Sequence, residues 1–232
     1  MMKTYAIIVA GGTGSRFGSS VPKQFLDLCG TPVLCHTLRA FRAVLPAENI
    51  VTVISRPMED FWRDLCADAG LEPGRLAYGG DTRWQSVRNG LEALGDISGD
   101  ATVLVHDGAR PLVTPDFITA VAGALRATGA DGVIPAIPLT DSLRHLADDG
   151  MHSVAVDRAF FRAVQTPQAF PAARLKQAFS LPYRPEFTDE ASMMAAAGFT
   201  DICLVPGSER NLKITRPVDL VVARYFLSPD DK

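Results

Sequence analysis

The chain has 232 residues, of which 47% are hydrophobic, and its formal net charge is −3. This length suits one large α/β domain or two small ones, and the charge argues against a general nucleic-acid binder, because such proteins usually carry a basic excess. The sequence shows no charged-then-apolar leader and no apolar run of about 18 residues, so we expect neither export nor membrane insertion.

Short apolar runs alternate with helical patterns along the chain. The predicted strands cover 5–10, 50–54, 75–78, 102–106, 132–137 and 202–205. Apolar residues spaced three and four apart predict helices around 34–45, 62–69, 87–94 and 118–125. This order predicts a three-layer α/β fold, in which helices cover both faces of a mainly parallel, twisted, Rossmann-like sheet. Ligands of such sheets bind at the carboxyl ends of the strands.

The first predicted strand leads into a glycine-rich turn at 11–14, and Arg16 and Lys23 follow it. Glycines let backbone N–H groups approach an anion, and nearby cations add charge, so this segment predicts a polyphosphate site. The alternative is that both cations are ordinary solvated side chains. The glycine spacing misses the dinucleotide fingerprint by one residue, and no GxxxxGK[ST] sequence occurs, so both familiar nucleotide loops are disfavoured.

The loop 79–83 follows the third predicted strand and precedes a helix. Asp81 or Thr82 would suit the N-cap of that helix, which is the structural interpretation. The functional alternative is that Gly80 and Asp81 contact a base or ribose, with Ser86 one turn further on. The spacing does not favour either interpretation.

Asp107 follows the fourth predicted strand, where the metal of a bound nucleotide would lie. It is a candidate Mg²⁺ ligand, because Mg²⁺ prefers one or two carboxylates together with phosphate oxygens. The alternative is local pairing, either with backbone N–H groups or with Arg110. His106 is expected to be a structural histidine. The four cysteines have no zinc spacing and favour reduced thiols, as in a cytoplasmic protein.

The segment 138–158 interrupts the alternation, because it is too short for a helix and a strand. Its Asp149-Gly150 pair predicts a β-hairpin arm that projects from a single domain spanning 1–232. An isolated hairpin is marginal in water, so we expect the arm to pack on a second subunit, or else to form a flap over its own cleft. Further on, Thr188-Asp189-Glu190 predicts a helix start, and Lys213 precedes a helix that begins near Pro217.

These segments together resemble a known family. The sequences AGGTGSRFG, PKQF, GGDTRWQSVRNGL, VHDGARP, QTPQAF, FTDEAS and NLKITRPVDL occur in the order found in 2-C-methyl-D-erythritol 4-phosphate cytidylyltransferases. The resemblance implies a nucleotidyltransferase fold and a homodimer formed through the arm. It also implies that the phosphate of methylerythritol attacks the α-phosphorus of CTP and releases pyrophosphate, with Mg²⁺ or another divalent cation on the triphosphate.

The resemblance further implies a role for individual residues. It implies catalytic roles for Arg16, Lys23, Arg158 and Lys213. It implies nucleotide contacts for Ala10, Gly11, Gly12, Gly14, Gly80, Asp81, Ser86 and Asp107, the last of which would also hold the metal. It implies polyol-phosphate contacts for Arg110, Ser142, Arg158 and Thr166, with Ser142 and Arg158 reaching from the arm of the neighbouring subunit.

Three other functions remain as alternatives. The AGG sequence at 10–12, where many family members have AAG, recurs in ribitol 5-phosphate cytidylyltransferases, which use the same CTP chemistry on another polyol. A non-catalytic nucleotide sensor would keep the glycines without needing the cations. A nucleotide-sugar pyrophosphorylase would be favoured if residues 79–86 did not recognise the cytosine base. No nucleic acid or membrane partner is expected.

Overall fold

The computed structural model describes residues 3–12 and 21–228. The strands are β1 (Thr4–Ala10), β2 (Asp27–Leu28), β3 (Thr31–Pro32), β4 (Ile50–Ile54), β5 (Arg75–Tyr78), β6 (Thr102–Asp107), β7 (Gly132–Pro138), β8 (Leu143–Leu146), β9 (Ser153–Val156), β10 (Arg162–Val164), β11 (Gln168–Pro171) and β12 (Ile202–Pro206). The helices are α1 (Val33–Arg42), α2 (Glu59–Asp68), α3 (Arg83–Leu94), α4 (Pro115–Thr128), α5 (Ala172–Ala178), α6 (Glu190–Ala196) and α7 (Pro217–Leu227).

The central sheet is mixed but mostly parallel, which confirms the predicted fold class. β1 lies between β6 and β4 and runs parallel to both, and β5 continues the parallel order beyond β4. β11 lies between β6 and β7 and runs antiparallel to both. β10 pairs antiparallel with β7, and β12 pairs parallel with it. The carboxyl ends of β1, β5 and β6 therefore meet at one edge of the sheet.

The sequence analysis did not predict β10 and β11. Both strands are short, and Pro167 and Pro171 interrupt or end the segment, so it lacks the long apolar run that indicates a buried strand. Their pairing with β6 and β7 comes from tertiary contacts across the sheet.

Helices cover both faces of the sheet, and this packing explains why the sequence of β1 is apolar throughout. Ala6, Ile8 and Ala10 pack in one core cluster with α1, α2 and α4. Ile7 packs in the other cluster, with α3, α5 and α6. Because successive side chains of a strand point to opposite faces, a strand covered on both faces must be apolar throughout.

The segment 138–158, called here the hairpin arm, contains β8 and β9, which pair with each other as a separate two-stranded antiparallel sheet. Its turn is stabilised by Asp149, whose Oδ1 accepts hydrogen bonds from the backbone N–H groups of Met151 and His152, both at 2.9 Å. Large apolar side chains are exposed on the arm and just after it: Leu146, Met151, Val154, Phe160, Phe161 and Val164.

Across 3–12 and 21–228, no helix combines the length and the apolar character needed to cross a bilayer.

Candidate active site

Gly11, the first residue of the glycine turn after β1, lies directly against the loop after β5. A Cβ atom added to Gly11 would lie 3.1 Å from the Cα of Gly79, which is tighter than most Cβ contacts, so a side chain at Gly11 would push the two backbones apart. The buried Gln24 holds the start of the turn, because its Nε2 donates to the carbonyl oxygens of Ala10 at 2.6 Å and Gly12 at 2.9 Å. Gln24 follows Lys23 in the chain, and it therefore connects the predicted catalytic lysine to the glycine turn.

Gly14 and Arg16 lie outside the described residues, so their predicted contacts with CTP stay predictions.

The loop after β5 is held by hydrogen bonds to the start of α3. Thr82 is the N-cap, since its Oγ1 accepts from the N–H of Gln85 at 3.0 Å. The Oγ of Ser86 accepts from the N–H of Gly80 at 3.2 Å and donates to the carbonyl oxygen of Thr82 at 2.9 Å. The cap that the sequence left open between two residues therefore belongs to Thr82, and Asp81 stays exposed.

Asp107, at the end of β6, contacts three cationic side chains, and these four residues form what we call the Asp107 cluster. Its Oδ1 lies 3.3 Å from Nε of Arg83. Its Oδ2 lies 2.9 Å from Nζ of Lys213 and 3.5 Å from Nε of Arg110. Asp107 and Arg110 are buried, whereas the side chains of Lys213 and Arg83 are 37% and 29% exposed. The cluster thus presents positive charge at the carboxyl edge of the sheet.

The cluster keeps Asp107 ionised. Burial alone would raise the pKa of Asp107, but attraction to Arg83, Lys213 and Arg110 outweighs it and holds the pKa well below its ordinary value. Asp107 is therefore a fixed negative charge rather than a general acid or base.

Arg83 reaches a second carboxylate that the sequence analysis missed. Its Nη1 and Nη2 donate to Oε1 and Oε2 of Glu190, at 2.5 and 3.0 Å. The Glu190 side chain is only 2% exposed. Burial raises the pKa of Glu190, and attraction to Arg83 opposes that shift with less effect. In the sequence this residue only marks a helix start, and no local pattern joins it to Arg83.

The floor of the site is a chain of hydrogen bonds beneath Asp107. The Oγ1 of Thr166 accepts from the N–H of Asp107 at 3.1 Å and lies 3.0 Å from Nδ1 of His106. The Nε2 of His106 lies 3.3 Å from the carbonyl oxygen of Arg110. Because a carbonyl can only accept, Nε2 carries the hydrogen and Nδ1 accepts from the Thr166 hydroxyl.

His106 is structural, as its position in the sequence suggested. Burial lowers its pKa to about 3, so the ring is neutral at physiological pH. Thr166 is 4% exposed, and its hydroxyl hydrogen is already committed to His106. Its predicted contact with the polyol phosphate stays a prediction.

The segment before α7 is fixed to the same floor, which places Lys213. The Nδ2 of Asn211 donates to the carbonyl oxygen of Thr166 at 2.8 Å, and Nη1 of Arg110 donates to the carbonyl oxygen of Asn211 at 2.8 Å. These bonds hold the chain two residues from Lys213 beside Asp107.

The two residues predicted on the hairpin arm do not join the Asp107 cluster within this chain as far as the structure describes it. Ser142 and Arg158 are both exposed, and Nη1 of Arg158 donates to the carbonyl oxygen of Thr140 in the same arm. Their predicted role in a neighbouring subunit stays a prediction.

The surroundings of Asp107 do not fit a direct metal ligand. Both of its carboxylate oxygens already contact cations, so a bound metal ion would be repelled by three positive side chains at close range. The described parts of the chain hold no group of three or more His, Cys, Asp or Glu able to form a metal cage. The metal contact of Asp107 stays a prediction that this geometry does not favour.

Comparisons with known proteins agree on one family. The family model of 2-C-methyl-D-erythritol 4-phosphate cytidylyltransferase matches residues 4–229. The enzyme of that name from Bacteroides fragilis is 44% identical, over 96% of this chain and 98% of its own length. Its counterpart from Rubrobacter xylanophilus is 41% identical, over 100% of this chain and 98% of its own.

Solved structures agree with the sequence matches. The 4-diphosphocytidyl-2C-methyl-D-erythritol synthase from Anaerococcus prevotii gives a TM-score of 0.81 at 27% identity, covering 97% of this chain and 96% of its own. The 2-C-methyl-D-erythritol 4-phosphate cytidylyltransferase from Thermus thermophilus gives a TM-score of 0.73 at 30% identity, covering 97% of this chain and 98% of its own.

Proposed function

Because the chain belongs to the 2-C-methyl-D-erythritol 4-phosphate cytidylyltransferase family, we propose that the loops at the carboxyl edge of its sheet form the site of that reaction. The chain is an enzyme that transfers a cytidylyl group from CTP to 2-C-methyl-D-erythritol 4-phosphate in isoprenoid biosynthesis. The observation that supports this placement is the contact of the glycine turn with the loop after β5, beside the cationic Asp107 cluster.

The glycine turn and the loop after β5 would bind CTP. Backbone N–H groups at Gly11 and Gly12 would face the triphosphate, where glycine leaves room for a phosphate oxygen. Gly80, Asp81 and Ser86 would contact cytosine and ribose, since Gly80 and Asp81 follow Gly79 in the loop against Gly11, and Ser86 in the first turn of α3 bonds to Gly80. Ala10 ends β1 and supplies the carbonyl that Gln24 holds.

Transfer needs no nucleophile from the protein. A phosphate oxygen of the polyol substrate forms a bond to the α-phosphorus of CTP, the bond to the bridging oxygen of pyrophosphate breaks, and the pyrophosphate leaves with that electron pair. Charge stabilisation and alignment then carry the catalysis. We propose that Lys23, Lys213 and Arg16 stabilise the negative charge on the phosphates. Arg110 would lie beneath the attacking phosphate.

A divalent cation such as Mg²⁺ would enter with CTP, bound to triphosphate oxygens rather than to Asp107. Mg²⁺ prefers phosphate oxygens and keeps several waters, so a dedicated protein cage is unnecessary.

The chain would act as a single cytidylyltransferase domain that dimerises through the hairpin arm (138–158). The exposed apolar side chains at Leu146, Met151 and Val154 support this, because an isolated hairpin gains stability when its exposed apolar side chains are covered. In that arrangement Arg158 and Ser142 would reach the polyol phosphate in the partner subunit. All four cysteines are free thiols, which supports a cytoplasmic location.

The function is tested by pyrophosphate release from CTP and Mg²⁺, comparing 2-C-methyl-D-erythritol 4-phosphate with D-ribitol 5-phosphate. We expect kcat/KM to favour the methylerythritol substrate by at least about 100-fold, since hydrogen-bonding sites discriminate strongly between polyols. Preference for ribitol phosphate would move the chain to the alternative reaction and leave the CTP site intact. The same assay with EDTA tests the metal, and we expect added Mg²⁺ to restore the lost rate.

A further inference from the structure

Glu190 is a buried carboxylate without a role in the chemistry described so far. It lies at the first position of α6, and both of its oxygens accept from the guanidinium of Arg83. The two residues are 107 positions apart in the chain, so tertiary structure alone brings them together. Burying a carboxylate is unfavourable unless it is paired, which makes a merely incidental contact a poor explanation.

The geometry divides the donors of Arg83 between two carboxylates. Glu190 takes both terminal nitrogens, which leaves the inner Nε for Oδ1 of Asp107 at 3.3 Å. Oδ2 of Asp107 is then left for Lys213 at 2.9 Å and Arg110 at 3.5 Å. Arg83 therefore contacts Asp107 through one long hydrogen bond instead of the two parallel bonds that a guanidinium forms with a free carboxylate.

We propose that Glu190 is a positioning residue, which holds Arg83 by its terminal nitrogens so that Asp107 remains available to orient Lys213. The proposal rests on the function proposed above, in which Lys213 acts at the phosphates. Glu190 itself touches no reacting group and works through Arg83 and Asp107.

Removing the charge of Glu190 would undo this division. Arg83 would lose one of its two acceptors at this position, because an amide offers a single oxygen, and a planar guanidinium pairs with both oxygens of a carboxylate when it can. Asp107 would turn toward Arg83, and the contact between Oδ2 and Lys213 would lengthen. Small displacements of an aligned group of this kind lower rates strongly, because the reaction depends on orientation.

The test is Glu190→Gln, which keeps the size of the side chain and removes its charge. We expect kcat to fall about 10- to 100-fold while the KM for CTP changes less than about threefold, since the carboxylate oxygens of Glu190 bond to Arg83, which is not among the proposed CTP contacts. The matched control is Glu92→Gln, because Glu92 pairs with Arg88 on the exposed side of α3, the helix that carries Arg83. The control should keep kcat within about twofold of the wild type.

A second comparison separates positioning from general support of the fold. In an Arg83→Gln background, we expect Glu190→Gln to lower kcat no further, because the residue acts through Arg83. This double variant carries no unpaired buried charge at the pair, so it remains informative if Glu190→Gln alone does not fold.

Two results would overturn the proposal: a folded Glu190→Gln enzyme with wild-type kcat, or a further loss of kcat in the Arg83→Gln background. The wild type, assayed beside the variants, separates this proposal from the function. Inactivity of the wild type with both substrates would refute both, whereas an active wild type with an equally active Glu190→Gln variant would refute the positioning role alone.

Discussion

At the scale of single residues, the chemistry of the site depends on the balance of charged side chains around Asp107. Arg83, Arg110 and Lys213 contact Asp107, and Arg83 also pairs with Glu190, so three cations face two carboxylates and one positive charge remains for phosphate oxygens. Burial makes that charge stronger, because water screens it less. A triphosphate is the kind of ligand that such a surplus favours.

Lys23→Ala tests the glycine turn at this scale. We expect kcat to fall by more than about 100-fold, the size of the loss when a preorganised donor to the transition state is removed. The measurement is pyrophosphate release at saturating substrates. Lys3→Ala is the control, because Lys3 is exposed at the opposite end of β1. A loss smaller than about threefold would remove Lys23 from the mechanism.

The sequence predicts contacts within one segment better than contacts between distant segments. Asp107 and Arg110 lie three positions apart, so their pairing was foreseeable as an alternative, and the structure shows it at 3.5 Å. The contacts of Asp107 with Arg83 and Lys213 depend on which strands are neighbours. No spacing in the sequence contains that information, and Glu190 was missed for the same reason.

At the scale of secondary-structure elements, close packing of α3 on the sheet fixes the positions of Arg83 and Ser86. Gly90 makes this packing possible, because a Cβ there would lie 2.5 Å from Cγ2 of Ile7 and 2.9 Å from Cγ2 of Val53. Both neighbours are β-branched and have few alternative rotamers. The helix therefore rests directly on β1 and β4 at this point.

Gly90→Ala should lower the free energy of unfolding by about 1–3 kcal/mol, because an extra methyl group in a filled core forces its neighbours to shift. Urea unfolding followed by circular dichroism measures it. The control is Gly123→Ala in α4, where the nearest atom to an added Cβ is Nη2 of Arg126 at 3.8 Å. That variant should gain about 0.5–1 kcal/mol from higher helix propensity. A stabilised Gly90→Ala protein would show that α3 can move away from the sheet without loss.

The predicted elements match the structure where packing and local pattern agree. All six strands predicted for the sheet are present, and the observed ends of the four helices predicted with bounds lie within about four residues of the prediction. The strands β10 and β11 were missed, since a short strand beside prolines has no strong period. The antiparallel order of β11 between β6 and β7 is a property of the assembled sheet.

At the scale of the whole molecule, the hairpin arm leads to a prediction about a site shared between two subunits. If Arg158 acts in the neighbouring subunit, then mixing inactive Arg158→Ala subunits with inactive Lys23→Ala subunits should restore activity. A heterodimer would contain one complete site, so recovery should approach about a quarter of the wild-type rate when the two subunits are equally abundant and mix at random. Activity after mixing, with subunit exchange followed by a label on one variant, measures it.

Exchange without recovery would place both residues in one subunit's site. The control is Arg144→Ala, assayed alone, because Arg144 lies on the same arm and bonds to Ser153. Its loss should leave the site intact and the rate close to that of the wild type. An Arg144→Ala enzyme as inactive as Arg158→Ala would show that damage to the arm, rather than loss of one contact, explains the inactivity.

The position of β11 also affects the order in which the protein is built. Residues 4–107 supply β1, β4, β5 and β6, yet the strand that covers the free edge of β6 is made of residues 168–171. During synthesis one edge of β6 therefore stays unpaired until about sixty further residues have left the ribosome. An exposed strand edge can pair with other chains. The hydrogen bonds at the floor of the site also form late, because Thr166 and Asn211 are synthesised long after Asp107. A nascent chain of this protein becomes a complete enzyme only when its late segments join the sheet in the middle.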